Sequence, residues 1–159
     1  MLHRIFVIVI IYFKITQSTT RESLNGDLSK RIIFTNTEIN IDDKKISLVE
    51  IKKIEFFVSD YFDRWEYKFN GSLNPERTNG TSNICILYLI NGEIINTKFQ
   101  LMYKEEFLKM RDILIVYYSE NKIHFLKLIE YLGIDKYEEI QEFKKTLPTN
   151  SVSYPANNS

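Results

Sequence analysis

The amino-acid sequence predicts an α+β fold, with about seven short antiparallel strands followed by amphipathic helices. Three patterns carry that expectation. From Arg31 to Leu101, β-branched and aromatic residues recur in short runs with polar residues between them. Turn-forming pairs such as Asn36-Thr37, Asp42-Asp43 and Asn91-Gly92 separate those runs. From Lys104 onward the apolar residues return at helical spacing instead.

The strands follow one another closely. "RIIFT" and "EINI" are joined through Asn36-Thr37, and "ISLVEI" comes after the charged turn "DDKK". In "KKIEFFVSDYF", Ile54, Phe56 and Val58 alternate with Glu55, Phe57 and Ser59, as in a half-buried strand. "RWEYKF" repeats the pattern, with Trp65, Tyr67 and Phe69 on one face and Arg64, Glu66 and Lys68 on the other. Asn70 to Ser82, "NGSLNPERTNGTS", is punctuated by Asn-Gly and Asn-Pro and reads as a long loop. "NICILYLI" is nearly all apolar, which marks a central strand. Asn91-Gly92 suits a two-residue type I′ hairpin, in which both central residues take positive φ, and "EIINTKFQL" returns from it.

Three helices complete the chain. Lys104 to Tyr118 carries Glu105 and Glu106 in its first turn, where the helix dipole favours acids, and Phe107, Met110, Leu114 and Tyr117 on one face. The second has Ser119 or Asn121 as N-cap, Gly133 as C-terminal stop, and Phe125, Leu126, Ile129 and Leu132 on one side. The third has Asp135 as cap, a Tyr137/Ile140 seam, and Pro148 just past its end. About seven antiparallel strands and then an amphipathic helix is the order of a pleckstrin-homology-like barrel, whose open end the helix plugs.

The chain divides into an apolar N-terminal segment (1–18), a polar linker (19–30), the domain with its C-terminal helices (31–147) and a disordered tail (148–159). Ile5 to Phe13 is unbroken and apolar but far shorter than the roughly 20 residues of a spanning helix. It fits a signal-peptide core, the end of a transmembrane helix, a short membrane-dipping anchor, or a buried strand. Lys14, Arg21, Lys30 and Arg31 follow it, so the positive-inside bias leaves the C-terminal side in the cytoplasm. A partial membrane anchor carrying a cytoplasmic domain is the expectation.

Composition narrows the function. Hydrophobic residues make up 44% and charged residues 26%, a globular balance. Twenty-one basic residues offset twenty-one acidic ones, so the footprint of a nucleic-acid binder is missing. The single cysteine, Cys85, cannot form an internal disulfide and sits in an apolar strand. With His3 and His124 as the only histidines, no zinc site is expected, and Cys85 with His124 is a remote nucleophile pair. Phosphate-loop, dinucleotide and nucleophile-elbow motifs are absent. No cofactor is expected, and the protein reads as a non-enzyme.

Four stretches carry a resemblance: Ser47 to Ile54, the Gly-Thr-Ser-Asn entry to a strand at Gly80 to Asn83, the Asn-Gly-Glu hairpin at Asn91 to Glu93, and "YEEIQE" at Tyr137 to Glu142. From Arg31 to Lys145 the chain resembles small, uncharacterised bacterial membrane proteins of the Bacteroidetes type with a pleckstrin-homology-like domain. Such proteins carry transmembrane helices before the domain. Only part of one is legible here, which implies a shortened start. The resemblance implies neither catalytic residues nor a ligand.

The remaining expectation is a binding surface. "DYFDRWEYKF" holds the only tryptophan, and Tyr61, Arg64, Trp65 and Tyr67 are the candidate partner-binding residues. The competing reading makes Trp65 an ordinary core residue. Lys44-Lys45 and Lys52-Lys53 offer a minor basic patch for lipid headgroups. The expected function is that of a membrane-associated binding or adaptor protein taking another protein or a peptide at a sheet edge or loop end. The alternative is a small soluble immunity or stress protein whose N-terminal run is a core strand or signal.

Overall fold

The computed structural model describes residues 21–24, 28–29, 31–67 and 76–148. The apolar segment 1–18, residues 70–75 of the expected loop, and the tail from residue 149 lie outside them. The described residues form an α+β fold of eight strands and three α-helices.

The strands pair as three antiparallel sheets and do not close into one barrel. The first is a meander of β1 (Ile32–Phe34), β2 (Glu38–Ile41) and β3 (Lys44–Ser47). Its first turn is held by Thr35, whose Oγ1 accepts the Glu38 N–H at 3.1 Å and donates to the Glu38 carbonyl at 2.9 Å. At its second turn Asp42 takes a φ of 53°, a conformation short polar side chains tolerate. A 3₁₀ turn at Leu48–Glu50, tied by the Ser47 N–H to the Glu50 carboxylate, turns the chain away before the next strand.

The second sheet has the order β4 (Ile51–Phe57), β7 (Asn83–Leu89), β8 (Ile94–Phe99). β7 is central, as its apolar run predicts, with Asn83, Cys85, Leu87 and Leu89 buried on one face. Ile51 and Ile54 are both buried despite their odd spacing because the register shifts between Ile51 and Lys53, inserting one residue as a bulge. The outer edge of β4 is not open to a neighbouring strand. The Ile54 N–H donates to the Lys122 carbonyl at 2.8 Å, and the Phe56 N–H donates to the Tyr131 hydroxyl at 3.0 Å. The connection after α1 (Arg111–Ser119) and a side chain of α2 (Phe125–Tyr131) thus take the position a barrel would give to the next strand.

The third sheet pairs β5 (Phe62–Glu66) with β6 (Glu76–Asn79). β6 lies inside the stretch expected to be a loop. Its sequence, "ERTN", has little strand propensity, and its pairing partners impose the conformation. Val58 also departs from expectation: β4 ends at Phe57, so Val58 falls beyond the strand and is exposed. The Asn91-Gly92 hairpin is a three-residue loop. The Leu89 N–H donates to the Glu93 carbonyl at 2.8 Å, the Gly92 N–H donates to the Leu89 carbonyl at 3.1 Å, and only Gly92 takes positive φ, at 91°.

Helices α1 (Arg111–Ser119), α2 (Phe125–Tyr131) and α3 (Tyr137–Thr146) follow. The expected first helix begins later than Lys104 because Glu106–Met110 winds as 3₁₀. Asn121 is a stop for α1 and not a start for α2. Its φ is 57°, its N–H donates to the Tyr118 carbonyl, and the Lys122 N–H donates to the Tyr117 carbonyl. Gly133, at φ 65°, closes α2 in the same way, with the Ile134 N–H reaching the Ile129 carbonyl. N-cap positions fall to His124 and Lys136, one place past Asp135 for α3.

One core joins these parts. Ile39 and Ile46 of the first sheet, Ile54, Phe56, Cys85 and Leu87 of the second, and Phe107, Leu114, Tyr117, Leu128, Tyr131 and Phe143 of the helical region share it. Phe56 makes edge-on contacts with Phe34, Phe107 and Tyr131 at centroid distances of 5.6, 5.3 and 5.5 Å. The buried Tyr117 hydroxyl donates to the Thr35 carbonyl at 2.9 Å, which joins α1 to the first sheet.

Candidate functional site

Two exposed aromatic residues stand beside charged groups at β5, Trp65 within the strand and Tyr67 just past its end, and a polar knot at the base of β5 and β6 determines where these strands stand. Asn83 is the polar member of the inward face of β7, and it is fully buried. Its Oδ1 accepts the N–H groups of Ser59 and Asp60, each at 3.0 Å. Its Nδ2 donates to the carbonyls of Asp60 and Gly80, each at 2.9 Å. The Asp60 carboxylate is buried too, accepting from Arg64 Nε at 3.3 Å and from the Ser82 N–H at 3.2 Å. Each buried polar group here has a partner, as desolvation requires.

Gly80 is the close-approach point of the knot. Its φ is 72°, and a Cβ there would lie 2.4 Å from both the Leu101 carbonyl oxygen and the Phe62 nitrogen. Those atoms are bonded to each other at 2.8 Å, and the Leu101 N–H returns to the Gly80 carbonyl at 3.0 Å. The root of β5 is therefore pinned to the chain leaving β8.

Above the knot the register of β5 slips between Phe62 and Trp65, and Asp63 takes a φ of 69°. The bulge turns its carboxylate toward two arginines. Arg21 Nη2 meets Oδ1 at 2.7 Å, and Arg77 Nη1 meets Oδ2. The Arg21 guanidinium lies 4.2 Å from the centre of the Phe62 ring, and that of Arg77 lies 4.6 Å from the Trp65 ring. The result is a ladder: Phe62, Arg21, Asp63, Arg77, Trp65. Each exposed cation–π step contributes about 0.5–1 kcal/mol, and shared ion pairs add specificity of position.

The ladder captures part of the stretch read as linker. Arg21 forms a parallel bridge with Arg77, and the Glu22 N–H donates to the Arg77 carbonyl at 3.0 Å. Asn79 answers with its N–H to Glu22 Oε1 and its Nδ2 to the Glu22 carbonyl, both at 2.8 Å. Residues 21–22 therefore lie along β6.

The four residues expected to bind a partner separate into two kinds. Tyr61 is half-buried against the core, and its carbonyl accepts the Thr78 hydroxyl at 2.8 Å. Arg64 is occupied by Asp60 and by Glu66 at 3.1 Å. Trp65 and Tyr67 are the surface members, 44% and 71% exposed. Trp65 is thus not a core residue: its ring packs on the Arg77 guanidinium at the surface and not against the core. Arg21, Asp63 and Arg77 were not expected. A charged pattern that converges only through a bulge has no signature in the sequence.

The other candidate groups are accounted for. Cys85 is fully buried, and burial pushes its thiol up to about 12, so it stays protonated; His124 is exposed at the start of α2. Lys44, Lys45 and Lys53 meet Glu93 at 2.9 Å, Glu38 at 3.8 Å and Glu55 at 2.6 Å, which leaves little of a basic patch. An open cleft of about 490 Å³, with Ile46, Val49, Leu89 and Ile90 along it, lies beside the Lys44–Glu93 pair. Among the described residues no cluster of His, Cys, Asp or Glu could hold a metal, and no helix is long and apolar enough to cross a membrane.

Comparison with protein-family models, curated proteins and solved structures finds no match. The chemistry of the chain itself therefore carries the functional reading.

Proposed function

We propose that this is a non-enzymatic, membrane-associated binding protein. The segment before the domain attaches it to the membrane, the domain sits on the cytoplasmic side, and an extended segment of another protein pairs with its sheet. The observation that carries the binding half is strand β8. Among the described residues its only strand neighbour is β7, whereas the outer edge of β4 is filled by Lys122 and Tyr131. Leu89 and Glu93 form a hydrogen-bonded pair, so antiparallel alternation directs the N–H groups of Ile94, Asn96 and Lys98 outward. Three outward donors on one straight edge suit strand addition, in which backbone bonds supply affinity.

In the same reading the sheets are two leaves of an opened pleckstrin-homology-like barrel. In support, the β1–β3 and β4–β7–β8 sheets share a single core with the helices.

Flotation of the full-length chain with membranes tests the attachment; recovery in the soluble fraction without detergent overturns it. Amide exchange tests the edge. The Ile94, Asn96 and Lys98 amides exchange fast in the isolated protein and slow when a membrane extract supplies the partner. Asn96→Pro removes an outward donor without breaking a bond to β7 and abolishes the slowing. Equal exchange with and without the extract refutes the edge as the binding site.

A further inference from the structure

We infer that the exposed face of β5–β6, centred on Trp65 and Tyr67, rests on the bilayer at the headgroup–hydrocarbon boundary. This inference depends on the membrane attachment proposed above and names what that surface of the domain touches.

The argument starts from Arg21. It is fastened on two sides, by the Asp63 carboxylate at 2.7 Å and by the Phe62 ring at 4.2 Å, and Glu22 beside it is bonded to Arg77 and Asn79. The point where the N-terminal chain joins the domain is therefore fixed on β5–β6. Phe13, the last residue of the unbroken apolar run, precedes Arg21 by eight residues, a tether of at most about 28 Å. A tether that short holds the hairpin at a high effective concentration next to the lipid surface, so a weak affinity suffices.

The side chains match the boundary chemically. Trp65 and Tyr67 each combine an apolar ring with a polar N–H or O–H, the pair of residue types enriched where water meets hydrocarbon. Both are exposed. The arginines beside the two exposed rings, Arg21 and Arg77, are both held by the Asp63 carboxylate. Contact is thus made by aromatic insertion and needs no anionic lipid.

Trp65 is the only tryptophan in the chain, so it reports directly on its own surroundings. The full-length protein is reconstituted in phosphatidylcholine vesicles, with and without bromine on the acyl chains, and floated before its fluorescence is read. The expected result is a shift of Trp65 emission to shorter wavelength and quenching by the brominated lipid. Adding phosphatidylglycerol leaves both unchanged. Arg21→Ala combined with Glu22→Pro, which removes the contacts of Arg21 with Asp63 and Phe62 and two of the three bonds from Glu22 to β6, loosens the tether and reduces the quenching while the protein still floats, and Tyr67→Ser reduces it with the ladder intact. A protein that floats but shows solvent-like, unquenched Trp65 emission overturns this inference and leaves the attachment standing. Quenching that appears only with phosphatidylglycerol replaces aromatic insertion by charge adhesion and overturns it as well. A protein that does not float overturns both.

Discussion

Asn83 and Asp60 hold each other through two bonds, with Asn83 Oδ1 accepting the Asp60 N–H at 3.0 Å and Asn83 Nδ2 donating to the Asp60 carbonyl at 2.9 Å, and the Asp60 carboxylate also accepts the neighbouring Ser82 N–H at 3.2 Å. This clasp joins the end of β4 to the start of β7. Asn83→Ala removes the partner of the Ser59 and Asp60 N–H groups and of the Asp60 carbonyl in a buried site, while the Gly80 carbonyl keeps the Leu101 N–H, at a cost of about 2–4 kcal/mol. Asn83→Leu does no better, because the groups left unpaired belong to the backbone. Urea denaturation checks both, with a lower midpoint and an unchanged slope expected.

The two glycines at turns of the second and third sheets differ in what surrounds them. At Gly80 an added methyl meets backbone at 2.4 Å in addition to the positive φ, and Gly80→Ala is expected to cost more than about 3 kcal/mol. At Gly92 nothing lies within 4 Å, so Gly92→Ala bears only the left-handed backbone penalty of about 1–2 kcal/mol. Thermal melts of the two variants side by side test the contrast. Equal losses would show that crowding at Gly80 is relieved by movement.

Cys85 is expected to resist alkylation at pH 8 in the folded protein, since its thiol is buried and pushed up to about 12. In guanidinium it reacts fully. Its labelling rate under native conditions therefore reads opening of the core, and a fast native reaction would show that β7 is not the central strand described.

Lys53, Glu55 and Tyr88 form a surface triad, with Lys53 Nζ at 2.6 Å and the Tyr88 hydroxyl at 2.8 Å from the Glu55 carboxylate. The hydrogen bond from Lys53, then that from Tyr88, holds Glu55 below its ordinary 4.5. Its contribution to stability is present above that value and is lost as pH falls through the lowered folded value. The bond to Glu55 raises Lys53 above 10.5, so that contribution is present below 10.5 and is lost as pH rises through the raised value. Glu55→Gln should flatten the acid limb and return Tyr88 ionisation toward 10.0, followed by NMR of the Tyr88 ring. An unmoved Tyr88 titration would show that the triad does not persist in solution.

Legibility followed range. The central strand "NICILYLI" and the Gly133 stop were readable because burial and left-handed backbone each demand particular residue types locally. Asn121 carried the same signal, yet it also suits an N-cap, and only the bonds to Tyr118 and Tyr117 decide which helix it serves. β6 was unreadable because "ERTN" is a strand only through its neighbours β5 and Arg21–Glu22. Of the candidate surface, Trp65 and Tyr67 could be singled out by type, whereas the role of Asn83 rests on its bonds to Ser59, Asp60 and Gly80. Arg21 and Asp63 are 42 positions apart and had no local mark.

The sequence by itself determined the order of the elements, strands first and helices after, together with the apolar faces that build the core. It did so because period and turn chemistry are local properties of the chain. Only the tertiary structure decided that the strands form three sheets, and that Trp65 faces outward with Arg21 fastened beside it. Those outcomes depend on which backbone edges are already taken. At β4 the Lys122 carbonyl and the Tyr131 hydroxyl take them, and neither is a strand.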